Sequence, residues 1–68
     1  MEITEKNIGQ IIRYLRSQHG WTMADLADKA SISTSTMSRI ESGERNPSFK
    51  VMVKLFQTLE KPITIKVL

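Results

Sequence analysis

The stretch TMADLADKASISTSTMSRIE, residues 22–41, has the pattern of two short helices joined by a tight turn. Its apolar positions are spaced so that two helices can cross at close range while one face stays free. These positions are Leu26, Ala27, Ala30, Ile32, Met37 and Ile40. The stretch therefore predicts a helix-turn-helix arrangement, in which the free face of the second helix can enter a groove of DNA.

Periodicity and capping residues predict the elements on either side of this stretch. Four helices are expected: the first from residue 5 or 7 to 19, the second from residue 22, the third from residue 34 to about 42, and the fourth over residues 49–59. Gly20 supplies the left-handed position that ends the first helix. The sequence therefore predicts one mainly α domain over residues 1–68, a compact bundle of four to five helices.

The C-terminal tail, residues 62–68, predicts a short β-strand, because apolar and polar residues alternate after Pro62 and several are β-branched. The sequence offers no second strand, so the expected mate is the same strand of a second copy. The alternative is a frayed tail that resembles a strand by chance. The fourth helix is also more apolar than one core-facing stripe requires. Both features predict a homodimer, with contacts from Val51, Leu55, Leu59, Ile63, Ile65 and Val67.

Length and composition limit the functions that are open to the chain. A core built from 68 residues contributes only about 3–5 kcal/mol. The absence of cysteine excludes disulfides and thiolate metal sites, and a single histidine cannot build an imidazole site, so oligomerisation is the remaining aid to stability. We expect no metal and no cofactor. No apolar run is long enough to span a membrane and no signal peptide precedes the domain, so no membrane partner is expected and the predicted location is cytoplasmic.

The net charge of +3 is unevenly distributed along the chain. Acidic and basic residues balance up to Ile32, whereas six Lys and Arg residues face three Glu residues from Ser33 onward. The excess lies in the half that contains the second helix of residues 22–41, which favours a polyanionic partner on that side. The alternative is a basic surface that serves only solubility.

Several further segments resemble one known family. The opening IGQIIRYLR, Gly20, the LADKA turn entry and the run TMSRIESGERNPS closely resemble Cro/C1-type (XRE-like) helix-turn-helix domains. Within that family the chain is most similar to HipB-type antitoxins, in the entry HGWT (residues 19–22) and in the tail. The resemblance implies a λ-repressor-like bundle that binds double-stranded operator DNA as a homodimer, with the C-terminal strands paired across the dimer.

The candidate base-contacting residues follow from the periodicity of the third helix. Met37 and Ile40 must face the core, so the outward residues are Thr34, Ser35, Ser38 and Arg39. Arg39 is the strongest candidate, because its planar guanidinium can bind O6 and N7 of guanine together.

Phosphate contacts are expected from donors that flank the outward face. The candidates are Thr22, Ser33, Arg45 and Asn46. The alternative for the Ser/Thr cluster, and the favoured one for Ser33, is that these hydroxyls cap and solvate the helix. The family resemblance also implies a partly buried ion pair between Arg16 and Glu41.

Two positions depart from the family pattern. Ser31 occupies a turn position that the family usually fills with glycine, so a left-handed backbone there would cost about 1 kcal/mol more than with glycine. The alternative is a different bend at Ala30 and Ser31. Met23 stands where the family commonly has a glutamine that contacts a phosphate, and a thioether cannot donate that bond.

Two functions remain open, and catalysis is disfavoured because no nucleophile, phosphate loop or acid and base pair can be found. The first is a sequence-specific DNA-binding transcriptional regulator, a repressor that acts as a homodimer on a palindromic operator. The second is an antitoxin that neutralises a HipA-type kinase toxin by direct contact and regulates its own operon. A toxin-like neighbouring gene would favour the second.

Overall fold

A computed structural model describes residues 2–61 and confirms the mainly α fold. The described part contains four helices: α1 Ile8–Gln18, α2 Met23–Lys29, α3 Thr34–Ser42 and α4 Phe49–Thr58. A turn over residues 5–7 precedes α1, so the first helix begins slightly later than predicted. The predicted C-terminal strand lies outside the described residues. None of the helices in residues 2–61 has the length and hydropathy that a membrane crossing requires.

Side-chain caps start three of the helices, as the sequence predicts. The hydroxyl of Thr22 accepts a hydrogen bond from the backbone N–H three residues later at 3.0 Å, and Ser33 and Ser48 do the same at 3.0 and 3.2 Å. Each cap satisfies a backbone donor that the first helical turn leaves free. The caps therefore fix where α2, α3 and α4 begin.

All four helices of residues 2–61 are followed by a left-handed residue, and two of these residues are glycine. Gly20 after α1 has φ 72°, Ser31 after α2 has φ 58°, Gly43 after α3 has φ 82°, and Glu60 after α4 has φ 56°. At the α2 end, the Ile32 N–H donates to the Ala27 carbonyl at 2.9 Å, which closes a Schellman motif. The left-handed turn expected at Ser31 is present, and the corresponding turn at Glu60 was not predicted.

The corner between α1 and α2 also contacts the end of α4. The ring of His19 stacks on Trp21 with centroids 4.1 Å apart, and the Lys29 ammonium lies 5.0 Å from the Trp21 ring. His19 Nε2 is 2.8 Å from the Leu59 carbonyl oxygen at the end of α4. Trp21 is therefore a structural residue at the junction of α1 and α2, and its stacking partner His19 makes the contact with the end of α4.

The core lies where α1 and α2 pack on α3 and α4 packs on α2. Its members are Ile8, Ile12, Leu15, Leu26, Ala27, Ala30, Met37, Ile40, Leu55, Phe56 and Leu59. Met37 and Ile40 are 0% and 1% exposed, so the inner face of α3 is the one that the sequence predicts. The opposite face of α3 is left free.

The assignment of Leu55 and Leu59 to a dimer interface is wrong. Both side chains are buried within one chain, at 0% and 2% exposure, because α4 closes the core of this small domain. Val51 is half-buried and packs against the same core. The most exposed apolar side chain on α4 is Phe49, at 60%, and Val53, one turn later, is half-buried. Ile63, Ile65 and Val67 lie outside the described residues.

Candidate nucleic-acid interface

The outward face of α3 carries short polar side chains and one arginine. Thr34, Ser35, Ser38 and Arg39 are all exposed, as the periodicity predicts. The buried side of the helix holds this face rigidly, because Met37 and Ile40 have almost no surface left. A helix held in this way can present base-reading side chains in a fixed register.

The side chain of Ser33 caps the N-terminus of α3. Its hydroxyl oxygen accepts the Thr36 N–H at 3.0 Å, and its hydroxyl group donates to the Thr36 hydroxyl oxygen at 2.8 Å. A serine hydroxyl has only one hydrogen to donate, so Ser33 keeps none for a phosphate in this arrangement. The structure favours the capping alternative for Ser33, and the sequence reasoning missed Thr36 as its partner.

Thr22 lies in a reciprocal capping box at the start of α2. The Thr22 N–H donates to Asp25 Oδ2 at 2.8 Å, and the Asp25 N–H donates to the Thr22 hydroxyl at 3.0 Å. The bond from the Thr22 backbone, with a smaller contribution from its hydroxyl, lowers the pKa of Asp25, so the carboxylate is charged at neutral pH. This negative charge lies in the first turn of α2 beside Thr22 and would repel a phosphate there, so it weakens the assignment of Thr22 as a phosphate contact.

The loop after α3 folds back on the helix and brings the backbones of Arg39 and Arg45 together. Gly43 has φ 82°, and the Arg45 N–H donates to the Arg39 carbonyl oxygen at 3.2 Å. Both arginine side chains are exposed, and so is Asn46. Arg39 and Arg45 are six positions apart in the sequence, but their backbones are adjacent at the C-terminal end of α3. The backbone of Arg45 is therefore held against the last turn of α3.

The ion pair between Arg16 and Glu41 is present in the structure. Arg16 Nε lies 2.7 Å from Glu41 Oε2, and Nη2 lies 2.8 Å from Oε1, so the contact is bidentate. A third bond joins Arg16 Nη1 to the Trp21 carbonyl oxygen at 2.9 Å. The hydrogen bonds to Glu41 raise the pKa of Arg16 above its ordinary value. The pair ties α1 to the last turn of α3, and its geometry leaves Arg16 engaged inside the protein.

Comparison with known proteins identifies the family. The helix-turn-helix family profile (HTH_3) matches residues 12–66, which is most of the chain. The chain belongs to the helix-turn-helix family. Among curated relatives, antitoxin HipB of Escherichia coli O6:H1 (strain CFT073) is 33% identical over 58 residues, covering 85% of this chain and 62% of HipB. The present chain therefore spans about three fifths of the length of that relative.

Other helix-turn-helix proteins are also similar to this chain, in sequence or in structure. The HTH-type transcriptional regulator SlrR of Bacillus subtilis (strain 168) is 40% identical over 58 residues, covering 84% of this chain and 38% of SlrR. The crystal structure of the restriction-modification controller protein C.AhdI from Aeromonas hydrophila superposes with a TM-score of 0.81 at 29% identity, covering 85% and 88% of the two chains. HipB in the HipA-HipB-O2-O3 complex gives a TM-score of 0.80 at 27% identity, covering 98% and 94%.

Proposed function

We propose that this protein is a sequence-specific DNA-binding transcriptional regulator that acts as a repressor. In this proposal a homodimer places α3 of each copy in successive major grooves of a palindromic operator, about 34 Å apart. The observation that carries the proposal is the free face of α3, which is polar, exposed and held rigidly by the buried face behind it. The similarity to transcriptional regulators such as SlrR supports the same conclusion. The proposal assigns no catalytic role to the chain.

The charges around α3 suit contact with DNA. Arg39 projects from the exposed face and is assigned to a guanine edge, where a bidentate contact gives about 1–3 kcal/mol of discrimination. Arg45, in the loop that folds back on α3, is assigned to a backbone phosphate together with Asn46. Thr34, Ser35 and Ser38 fill the remaining exposed surface and are assigned to neighbouring base edges. Both oxygens of Glu41 are held by Arg16, so Glu41 does not neutralise the two free arginines.

Selection of bound sequences from a random DNA pool tests this function directly. We expect enrichment of a palindromic motif whose half-sites contain guanine opposite Arg39. A pool that yields no motif, from protein that is folded and dimeric, would exclude sequence-specific DNA binding as the function.

Substitution of the two free arginines is expected to have two different effects on DNA binding. Arg39→Ala should relax the preference at one base pair of each half-site, because it removes the base-reading group. Arg45→Ala should weaken binding to all sequences and reduce the slope of log K against log salt by about one unit, because it removes one phosphate contact. Gel shifts at several salt concentrations would measure both.

The control for this pair is Arg13→Ala, because Arg13 is also an exposed arginine but lies on α1, outside α3 and its loop. Affinity and salt slope should stay close to those of the unsubstituted protein. Equal losses in all three variants would show that general charge, and not these positions, drives binding.

The homodimer is proposed to use the exposed part of α4 together with the C-terminal tail. Phe49 and Val53 are one helical turn apart and share the side of α4 that the core does not cover. The chain leaves α4 immediately before the alternating segment of residues 62–68. A second copy that covers Phe49 would bury apolar surface that the described part of the chain leaves in water.

Two changes should therefore shift the protein from dimer to monomer in sedimentation velocity: Phe49→Ser and deletion of residues 63–68. Tyr14→Ser is the matched control, because Tyr14 is a similarly exposed aromatic residue, at 56%, on α1. A dimer that survives both changes would contradict this interface, and dissociation by Tyr14→Ser would place the interface on α1.

A second candidate function is that of an antitoxin. The specific observation in its favour is the similarity to HipB over 85% of this chain, together with the superposition on HipB in its complex with HipA over 98% of the chain. In this proposal the protein holds a HipA-type kinase toxin inactive and regulates its own operon. Co-purification with the product of a neighbouring kinase gene, and relief of that kinase's toxicity on co-expression, would test it.

A further inference from the structure

Ser42, the last residue of α3, connects the helix to the loop that carries Arg45. Its hydroxyl donates to the Arg39 carbonyl oxygen at 3.1 Å and accepts the Glu44 N–H at 3.4 Å. The Arg45 N–H donates to the same Arg39 carbonyl at 3.2 Å. Three hydrogen bonds therefore close a small ring between the last turn of α3 and the first residues of the loop.

We propose that Ser42 is a positioning residue for Arg45 in the DNA interface, and this inference rests on the proposed DNA-binding function. The ring fixes the backbone of Glu44 and Arg45 against α3 before any ligand arrives. Arg45 then projects from a backbone that is already ordered, so binding a phosphate does not require ordering of the loop. The chemical class of the ligand is a phosphodiester oxygen beside the groove that α3 enters.

A direct contact between Ser42 and DNA is disfavoured by the same geometry. The single hydroxyl hydrogen of Ser42 is donated to the Arg39 carbonyl, so none is left for a phosphate oxygen. The left-handed backbone of Gly43, with φ 82°, turns the chain so that the loop can fold back over Ser42. Ser42 therefore acts through the loop.

The test compares Ser42→Ala with Ser17→Ala. Ser17 lies in the last turn of α1 and donates to the carbonyl oxygen three residues earlier, that of Tyr14, at 2.7 Å, so it matches Ser42 in chemistry but not in place. Ser42→Ala should weaken DNA binding about threefold to tenfold, as loss of weak exposed hydrogen bonds implies, and leave the salt slope unchanged because no cation is removed. Ser17→Ala should leave the affinity unchanged.

A double-substitution cycle separates positioning from direct contact. If Ser42 acts through Arg45, Ser42→Ala should have almost no further effect in protein that already carries Arg45→Ala. Losses that add up in the double variant would mean that Ser42 contacts DNA independently, which would overturn the proposal. Unchanged affinity in Ser42→Ala alone would also overturn it.

Amide hydrogen exchange in the free protein measures the order of the loop backbone without any DNA. Ser42→Ala should accelerate exchange at the amides of Glu44 and Arg45, whereas Ser17→Ala should not. Unchanged exchange would show that the hydroxyl does not order the loop and would overturn the positioning role. Failure of the unsubstituted chain to bind any DNA would overturn the proposed function together with this role, whereas DNA binding that is insensitive to Ser42→Ala overturns the role alone.

Discussion

Arg16→Met is expected to destabilise the protein by about 3 kcal/mol or more, the cost of breaking a buried ion pair from one side. The substitution leaves the carboxylate of Glu41, only 3% exposed, without a cation and without its two hydrogen bonds. It also removes the bond to the Trp21 carbonyl oxygen. For a domain of 68 residues the total free energy of unfolding is about 3–10 kcal/mol, so this loss is a large share.

The complementary change, Glu41→Gln, should cost less than Arg16→Met. The Arg16 side chain is 15% exposed, so the guanidinium can reach water more easily than the Glu41 carboxylate can. Urea unfolding of the two variants, followed by circular dichroism, would give the order. Arg13→Met is the control on the exposed side of the same helix and should change stability little. The reverse order, or equal costs for Arg16→Met and Arg13→Met, would contradict this account of the pair.

Gly9→Ala is expected to be the most damaging of the small substitutions. A Cβ atom at this buried position would overlap the Ile40 carbonyl oxygen and lie 3.0 Å from that of Glu41. Both obstacles belong to the α3 backbone, so α1 and α3 must separate before the methyl group fits. Overpacking costs about 1–3 kcal/mol, and we expect at least the upper end because no flexible side chain can move aside.

The matched control is Gln10→Ala, one position along the same helix and exposed to water. At this site alanine is a good helix former and should leave stability unchanged or slightly raised. Thermal unfolding of both variants would check the contrast. Where Gly9→Ala remains folded, its DNA affinity should also fall, because displacement of α3 moves the reading face. A Gly9→Ala protein with unchanged melting temperature would contradict the close packing of α1 on α3.

The local features of the fold could be predicted from the sequence because each depends on a few neighbouring residues. The caps at Thr22, Ser33 and Ser48 are present where a hydroxyl precedes a periodic apolar run. The outward face of α3 follows from the positions of Met37 and Ile40, since helical periodicity fixes one face once the other is known. The family resemblance added the pair of Arg16 and Glu41, which no local pattern contains.

The main error concerns a surface that several helices share. The excess of apolar residues on α4 predicted a partner for Leu55 and Leu59, but the domain is so small that α4 must cover the core of its own chain. We propose that a partner covers Phe49 and Val53 instead. Ser33 was assigned to a phosphate as well as to a cap, and only the bond to the Thr36 hydroxyl shows how its hydrogen is used.

By itself the sequence determined the helices, their caps, the free face of α3 and the bias of charge toward it, because periodicity and capping act over a few residues. Only the tertiary structure decided that Gly9 must lack a side chain, that Leu55 belongs to the core, and that Arg45 lies against Arg39. These features depend on how closely two distant backbone segments approach, as with the 3.2 Å bond from the Arg45 N–H to the Arg39 carbonyl. Such distances are set by the packing of the whole domain, which no local pattern records.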